Sequence, residues 1–446
     1  MLAESSLLES IRSAMPSGEV APPERLADYA VDGMTPGIAV CPGTAEEVAA
    51  VLAIAARHGA AVIPWGGGTS MAIGGLPRHY DIALDTRRLD QVVEHAPADL
   101  TVVVQAGARL QQLQDCLARS GQYLPLDPPS PQSATIGGIL ASNADGPWRY
   151  AYGWPRDWVL GMKVALADGR VIKAGGHVVK NVAGYDMTRL YAGSFGTLGV
   201  IVEAAFRVTP LPQARRTGLA FFDSCSVAID VALRLHQRNL SLESLDVLGT
   251  NADGLLAGIG RSAASWALLV GAAGNSSAVE RSLLEAEEVC RGDGVVLQVP
   301  DEQESRRLWD EVRARCQPNG EDDALLTRAS LLPAQVAAFT SELPAMARGH
   351  GLSAAANCRP GLGSVYTAWR GDRRSIPDSG LALAADLREV VWGLRGSLVV
   401  ESCPPALKRQ IAVWGEPRSD FPLVRRLKEQ LDPQGTLSAG RFVGGL

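Results

Sequence analysis

"VIPWGGGTSMAIGG", residues 62–75, sets three adjacent glycines, Thr69, Ser70 and two further glycines behind a short apolar run. An apolar run that ends in glycines reads as a strand opening into a tight loop. With no Cβ in the way, such a loop lets backbone amides close around an anion. It contains no lysine, so N–H dipoles would have to do the neutralising. The dinucleotide fingerprint G-x-G-x-x-G is absent, and so is the Walker pattern with its lysine. A plain strand-to-helix turn is the competing reading of this loop alone.

The neighbouring sequence places the loop. "GIAVC" (37–41) reads as a strand, and "TAEEVAAVLAIAARHG" (44–59) as a helix with a capping-box pattern at Thr44 and Glu47. Val48, Val51, Leu52 and Ala55 fall on one helical face. "AVIP" (61–64) is the next strand, which puts the loop at the carboxyl edge of a β-α-β unit, where open sheets hold ligands. "LTVVVQAGA" (100–108) is a further strand, and Leu110, Leu113 and Leu117 mark a helix. "DPPSPQSATIGGILASNADG" (127–146) then supplies a second small-residue loop. Two such loops can embrace one extended, twice-phosphorylated ligand through backbone N–H groups. "WVLGMKVALADGRVIKAGG" (158–176) predicts a hairpin around Asp168-Gly169, and "GTLGVIVEAAFRVTPLP" (196–212) one more strand.

Beyond "PLPQARRTG" (210–218) the glycine motifs stop. Strands are expected at 264–274 and 294–299, with a helix between them marked by Val279, Leu283, Ala286 and Cys290. A second set follows: strands at 324–331, 352–358, 364–369 and 397–402, with helices near 333–342 and 381–393. The two similar sets suggest a duplicated unit. The resulting domain expectation is 1–212, 213–400 and 401–446.

The 446 residues predict more than one domain. Net charge is −6 with no basic tail, which argues against a nucleic-acid partner. The first residues lack the charged start and apolar core of a signal peptide, and no apolar stretch nears the roughly 20 residues that span a bilayer. Seven scattered cysteines without a C-x-x-C pair argue against a disulfide framework, a zinc site or an iron–sulfur cluster. The expected location is cytoplasmic, peripheral at an inner membrane only through partners.

"PWGGGTSMAIGG", "DPPSPQSATIGG", "YGWPRDWVLGMKVALADGRVI" and "KNVAGYDMTRLYAGSFGTLGVI" occur in this order. Together they resemble the FAD-binding oxidoreductases of the vanillyl-alcohol-oxidase, or p-cresol-methylhydroxylase (PCMH), type. That resemblance implies an α+β fold: a two-subdomain PCMH-type FAD-binding domain with an α/β cap. It implies that the anion is the pyrophosphate of non-covalent FAD. Pro64, Trp65, Gly66, Gly67, Gly68, Thr69 and Ser70 would hold it, the glycines because a Cβ would block the backbone's approach. Thr135, Ile136, Gly137 and Gly138, with Ser142 and Asn143, would form a second wall. Val200 and Ile201 would lie near the flavin ring or its ribityl chain. Within the family, "GGHVVKNVAGYD" (175–186), "VWG" (413–415) and the tail "LDPQGTLSAGRFVGGL" resemble the E subunit of bacterial glycolate oxidase. One departure is Ser438-Ala439, where that tail has asparagine-proline before Gly-Arg.

The chemistry expected of related stand-alone 2-hydroxy-acid dehydrogenases uses a divalent metal and a histidine base in the cap. Here only His236 and His350 lie in the cap, neither in a paired ligand motif, and Glu401 is followed by Ser402 and Cys403. His236 reads as a helix-face residue and His350 as a helix-end residue. No metal site and no catalytic residue is assigned. Lys180 and Arg441 are the cations that could stabilise a reduced flavin; Arg370 could meet a substrate carboxylate. Arg156-Asp157 reads as a pair bracing the second loop, and His177 as a surface side chain. The resulting expectation is a FAD-binding subunit of a glycolate-oxidase-like complex. It would act on glycolate or D-lactate beside a second flavin subunit and an iron–sulfur subunit. A stand-alone FAD-dependent dehydrogenase and an assembly subunit are the alternatives.

Overall fold

A computed structural model describes residues 2–176, 185–249, 265–317, 323–371 and 376–446. The chain divides into two compact units. The first comprises Met1–Asp145, Trp154–Leu211 and Glu416–Leu446; the second comprises Gly146–Gly153 and Pro212–Gly415.

The first unit holds strands β1 (Glu19–Val20), β2 (Ile38–Cys41), β3 (Val62–Trp65), β4 (Ile82–Asp85), β5 (Val92–Ala96), β6 (Thr101–Gln105), β7 (Gln122–Tyr123), β8 (Val159–Ala165), β9 (Val171–Gly175), β10 (Val200–Arg207) and β11 (Thr209–Pro210). They form a four-stranded sheet, β1-β2-β4-β3, a five-stranded sheet, β5-β6-β10-β8-β9, and the short pair β11-β7. The β-α-β unit read around the loop is present, with β4 inserted between its two strands and parallel to both. Its helix, Ala45–His58, buries Val48, Val51, Leu52 and Ala55 against that sheet. The capping box is modified. Thr44 accepts from Glu47 N as expected, but the Glu47 carboxylate reaches Gly43 N at 2.7 Å and Ser17 N at 2.6 Å. The predicted hairpin joins β8 to β9, with Gly169 at φ +87°.

The second unit is one antiparallel sheet of β12 (Ala214–Phe222), β13 (Leu242–Gly249), β14 (Trp266–Gly274), β15 (Asp323–Ser330), β16 (Ser353–Arg359), β17 (Ser364–Arg370) and β18 (Ser397–Ser402). Its order is β12-β14-β13-β16-β17-β15-β18. In chain order β12, helix Cys225–His236, β13, β14 and helix Ser276–Gly292 match β15, helix Val336–Gly349, β16, β17 and helix Ile376–Gly393. The two sets meet at the β13–β16 pair, Val247 opposite Cys358, so the sheet reads the same outward from its centre. β18 completes the second set. Its counterpart in the first is the stretch 294–299, expected as a strand but reduced to a single bridge, Leu219 with Gln298. Leu297 is buried while Val296 and Val299 are exposed, so burial does not alternate along the stretch, and only Gln298 joins the ladder. The helix Glu302–Ala314 that follows was not anticipated; Asp301 caps it by accepting from Glu304 N. No helix among the described residues is long and apolar enough to cross a membrane.

Candidate functional site

β3 ends at Trp65, whose carbonyl accepts from both Thr86 N (2.9 Å) and Thr86 Oγ1 (3.1 Å). The indole meets the Tyr29 ring edge-on at 5.3 Å, and Tyr29 donates to Asp85 at 2.9 Å, which fixes the strand end from below. The chain then turns through Gly66–Ser70, with Gly68 at φ +75° over the indole. On the other side, Thr135 caps helix Ile136–Ser142 by accepting from Gly138 N. A Cβ on Gly66 would stand 2.3 Å from Thr135 Oγ1, and one on Gly67 would stand 1.9 Å from Ser133 O. A side chain at Gly66 or Gly67 would therefore drive one loop into the other.

Between the loops lies a cavity lined by Ile63, Pro64 and Gly66–Met71, by Gly138, Ala141 and Ser142, by Phe195 and Gly196, and by Ser438 and Arg441. Pro64, Gly66–Ser70, Gly138 and Ser142 are thus brought together. Trp65, Thr135, Ile136, Gly137 and Asn143 stand behind the lining. Gly137 packs on Ala106, where a Cβ would come within 2.8 Å, and Asn143 ends the helix in a left-handed conformation. Val200 and Ile201 are buried in two different cores, to either side of β10, whose pairing with β8 is shifted by an irregularity just after Ile201. They do not line the cavity.

The walls fit an oxygen-rich anionic ligand. Among the described residues, the amides of Gly66–Ser70 donate to no protein acceptor. Ser438 Oγ and Asn143 Oδ1 are buried without a hydrogen-bond partner. Buried polar atoms are rarely left so. Ser70 Oγ and Ser142 Oγ stand 3.5 Å apart across the gap between the loops. Among the described residues, no histidine or cysteine lines the cavity.

A third wall comes from the far end of the chain. Leu437 bridges Val62, and Thr436 O and Ser438 N bond Val62 at 2.7 and 2.9 Å. Lys428 stands behind, donating to Thr197 O, Leu437 O and Asp432. Burial lowers the Lys428 pKa, and Asp432 opposes that shift. Arg441 is buried and donates to Met71 O (2.7 Å), Ile73 O (2.6 Å), Gly75 O and Asp32. It clasps the descending limb of the glycine loop. Burial lowers its pKa, against the pull of Asp32. Phe195, Gly196 and Ser438 were missed as lining residues, as were Ile63, Met71 and Ala141 next to expected ones. The "GSFG" turn is a local signal for the first two, and no local signal marks Ser438.

Other expectations resolve differently. Lys180 and His177 lie outside the described residues. Asp157 pairs with Arg189 at 3.0 Å instead of Arg156, which stacks on Trp154. In the second unit, His236 Nδ1 meets Tyr150 Oη at 3.0 Å, and burial pushes the Tyr150 phenol up to about 12. His350 bonds Asp386 at 2.8 Å, Glu401 pairs with Arg328, and Arg370 is half-buried at the end of β17. Among the described residues no group of three or more histidine, cysteine, aspartate or glutamate side chains could hold a metal.

Comparison with known proteins matches residues 36–175 to the FAD binding domain and residues 211–442 to the C-terminal domain of FAD linked oxidases. Glycolate oxidase subunit GlcD of Bacillus subtilis is 27% identical over 422 residues, covering 91% of this chain and 89% of that protein. D-lactate dehydrogenase of Archaeoglobus fulgidus is 30% identical over 421 residues, covering 91% of both. Glycolate oxidase subunit GlcE of Escherichia coli is 40% identical, over 132 residues that cover 29% of this chain and 38% of that one. The fold of p-cresol methylhydroxylase superposes with a TM-score of 0.78 at 16% identity, covering 99% of this chain and 97% of that one. With its two-loop cavity in a PCMH-type fold and both domains matched, this chain belongs to the FAD-linked oxidase family and is a FAD-dependent oxidoreductase.

Proposed function

We propose that this chain binds FAD non-covalently in the cavity between its two small-residue loops. As a subunit of a glycolate-oxidase-like complex, it then takes part in oxidising a 2-hydroxy acid such as glycolate or D-lactate. The observation that carries the binding reading is the cavity itself: five consecutive residues with undonated amides, Gly66–Ser70, line it opposite Gly138 and Ser142. Those amides hold the pyrophosphate by dipoles, and the Ser70 and Ser142 hydroxyls close the gap between the loops. Thr135, Ile136, Gly137 and Asn143 shape the second loop from behind. Val200 and Ile201 act at one remove, by fixing the strand that follows Gly196. Bound FAD would supply a redox centre that takes up the electrons of that oxidation and passes them on.

The substrate class is supported by relatives named for glycolate and D-lactate. Electrons leave to an iron–sulfur partner, since the seven cysteines of this chain lie far apart in sequence. A second flavin subunit oxidises the substrate in this reading, because the cap histidines are engaged by Tyr150 and Asp386. The E-type assignment rests on the short match to GlcE and on the quoted motifs. A second reading, a stand-alone dehydrogenase, is favoured by the match across 91% of a D-lactate dehydrogenase.

One experiment separates these. The visible spectrum of the purified chain is recorded before and after anaerobic glycolate or D-lactate. A flavin band that persists supports the subunit reading; rapid bleaching places oxidation in this chain alone. Absence of flavin even after reconstitution with FAD sinks the cavity assignment.

A further inference from the structure

Ser438 combines three features that no other role described above explains. It is 2% exposed and lines the cavity. Its backbone is fully used, since its N–H donates to Val62 O at 2.9 Å and its carbonyl accepts from Arg441 N at 3.1 Å. Its hydroxyl is buried with no partner, while Ser142 in the same cavity already donates to Gly138 O at 2.7 Å. The residue also sits at φ +47°, a conformation that a non-glycine residue adopts only when its surroundings impose it. Those surroundings are the Val62 pairing on one side and the buried Arg441 clasp on the other. They hold the residue in the cavity wall that it shares with Ile63 and Pro64 of β3.

We propose that Ser438 is a cofactor-contacting residue, its hydroxyl donating a hydrogen bond to an acceptor oxygen of FAD in this cavity. This rests on the FAD reading of the cavity. A hydroxyl left unbonded in a buried wall is unfavourable, and a ligand oxygen placed there satisfies it. The acceptor is a phosphate oxygen or a flavin carbonyl; both offer the same chemistry to a serine donor.

The test uses the full chain with Ser438→Ala and Ser438→Gly. Each is stripped of flavin and titrated with FAD, followed by flavin fluorescence, and the thermal midpoint of each apo-protein is measured alongside. Loss of one donor to a buried ligand weakens FAD binding about five- to tenfold. Glycine relieves the positive φ, so Ser438→Gly keeps or raises the apo midpoint while losing affinity. That opposite movement is one a purely structural serine cannot produce. ADP binding measured in parallel locates the acceptor. An equal loss for ADP places it on a phosphate, and an unchanged ADP affinity places it on the flavin side. FAD affinities within twofold of wild type in both variants overturn the proposal. So does an affinity that falls only in step with apo stability. A wild-type chain that binds no FAD overturns the reading of the cavity itself, and shows this before any variant is made.

Discussion

Glycine does opposite work in the loops of the first unit and at the helix ends of the second. At Gly67 a Cβ would stand 1.9 Å from the carbonyl of Ser133, a backbone atom that cannot swing aside. At Gly292, the last residue of a cap helix, a Cβ would meet nothing within 4 Å. The first kind of glycine is demanded by two segments pressed together and the second by nothing in its surroundings.

The largest effect expected is at the loops. Gly67→Ala forces them apart, lowering stability by more than about 3 kcal/mol and leaving the purified chain nearly free of flavin. The flavin-to-protein ratio and thermal midpoint check this, and normal FAD content in the variant would break the contrast. Next is the ion pair of Arg215 with Glu243 in the second unit, its carboxylate side chain 4% exposed. Burial raises the Glu243 pKa and Arg215 opposes it. A native pKa above the unfolded value means the native state holds the extra proton, so this group's contribution falls as pH rises through that window. Arg215→Ala removes the opposing charge, extends the window upward, and lowers stability by about 3 kcal/mol near neutrality. Urea midpoints should show a smaller loss toward acid pH, as Glu243 takes up its proton, than on the alkaline side of neutrality. A pH-independent loss would point instead to the stacking of Arg215 on Trp148.

Smaller effects sharpen the contrast. Thr44→Ala removes a helix cap remote from the cavity lining and should lower the thermal midpoint by an amount equivalent to about 1 kcal/mol, with flavin content unchanged. Gly292→Ala should raise stability by about 0.5 kcal/mol, opposite in sign to Gly67→Ala. A destabilised Gly292→Ala would show that the cap glycine answers to a constraint its neighbourhood does not reveal.

Much of the first unit was legible. The strand-loop junction at Trp65–Gly66, the helix behind Thr44 and the hairpin at Asp168-Gly169 each depend on residues a few positions apart. The second half of the cap was legible as helices and strands; β12 and β13 in the first half, and the pairing throughout, were not. The stretch 294–299 reads as an apolar strand, yet how far it pairs is decided by its place at the sheet edge beside β12. The helix Glu302–Ala314 carried a signal that went unread: Asp301 three residues before Glu304, with Leu308 and Val312 one turn apart and both buried. The excursion of Gly146–Gly153 into the second unit has none, since Trp148 and Tyr150 find their partners Arg215 and His236 only in three dimensions.

By itself, the sequence determined the local chemistry: which segments become strands and helices, which turns need glycine, and that one domain carries two loops of small residues. Those features follow from φ preferences, capping and periodicity, which act within a turn or two of chain. Tertiary structure decided that the loops touch at Gly66 and Gly67, and that a tail 366 residues beyond Gly75 supplies Arg441 and Ser438 to the same cavity. Contacts across such separations bear the full entropy of loop closure, and only the packed whole compensates it. No local pattern records which distant segment will do so.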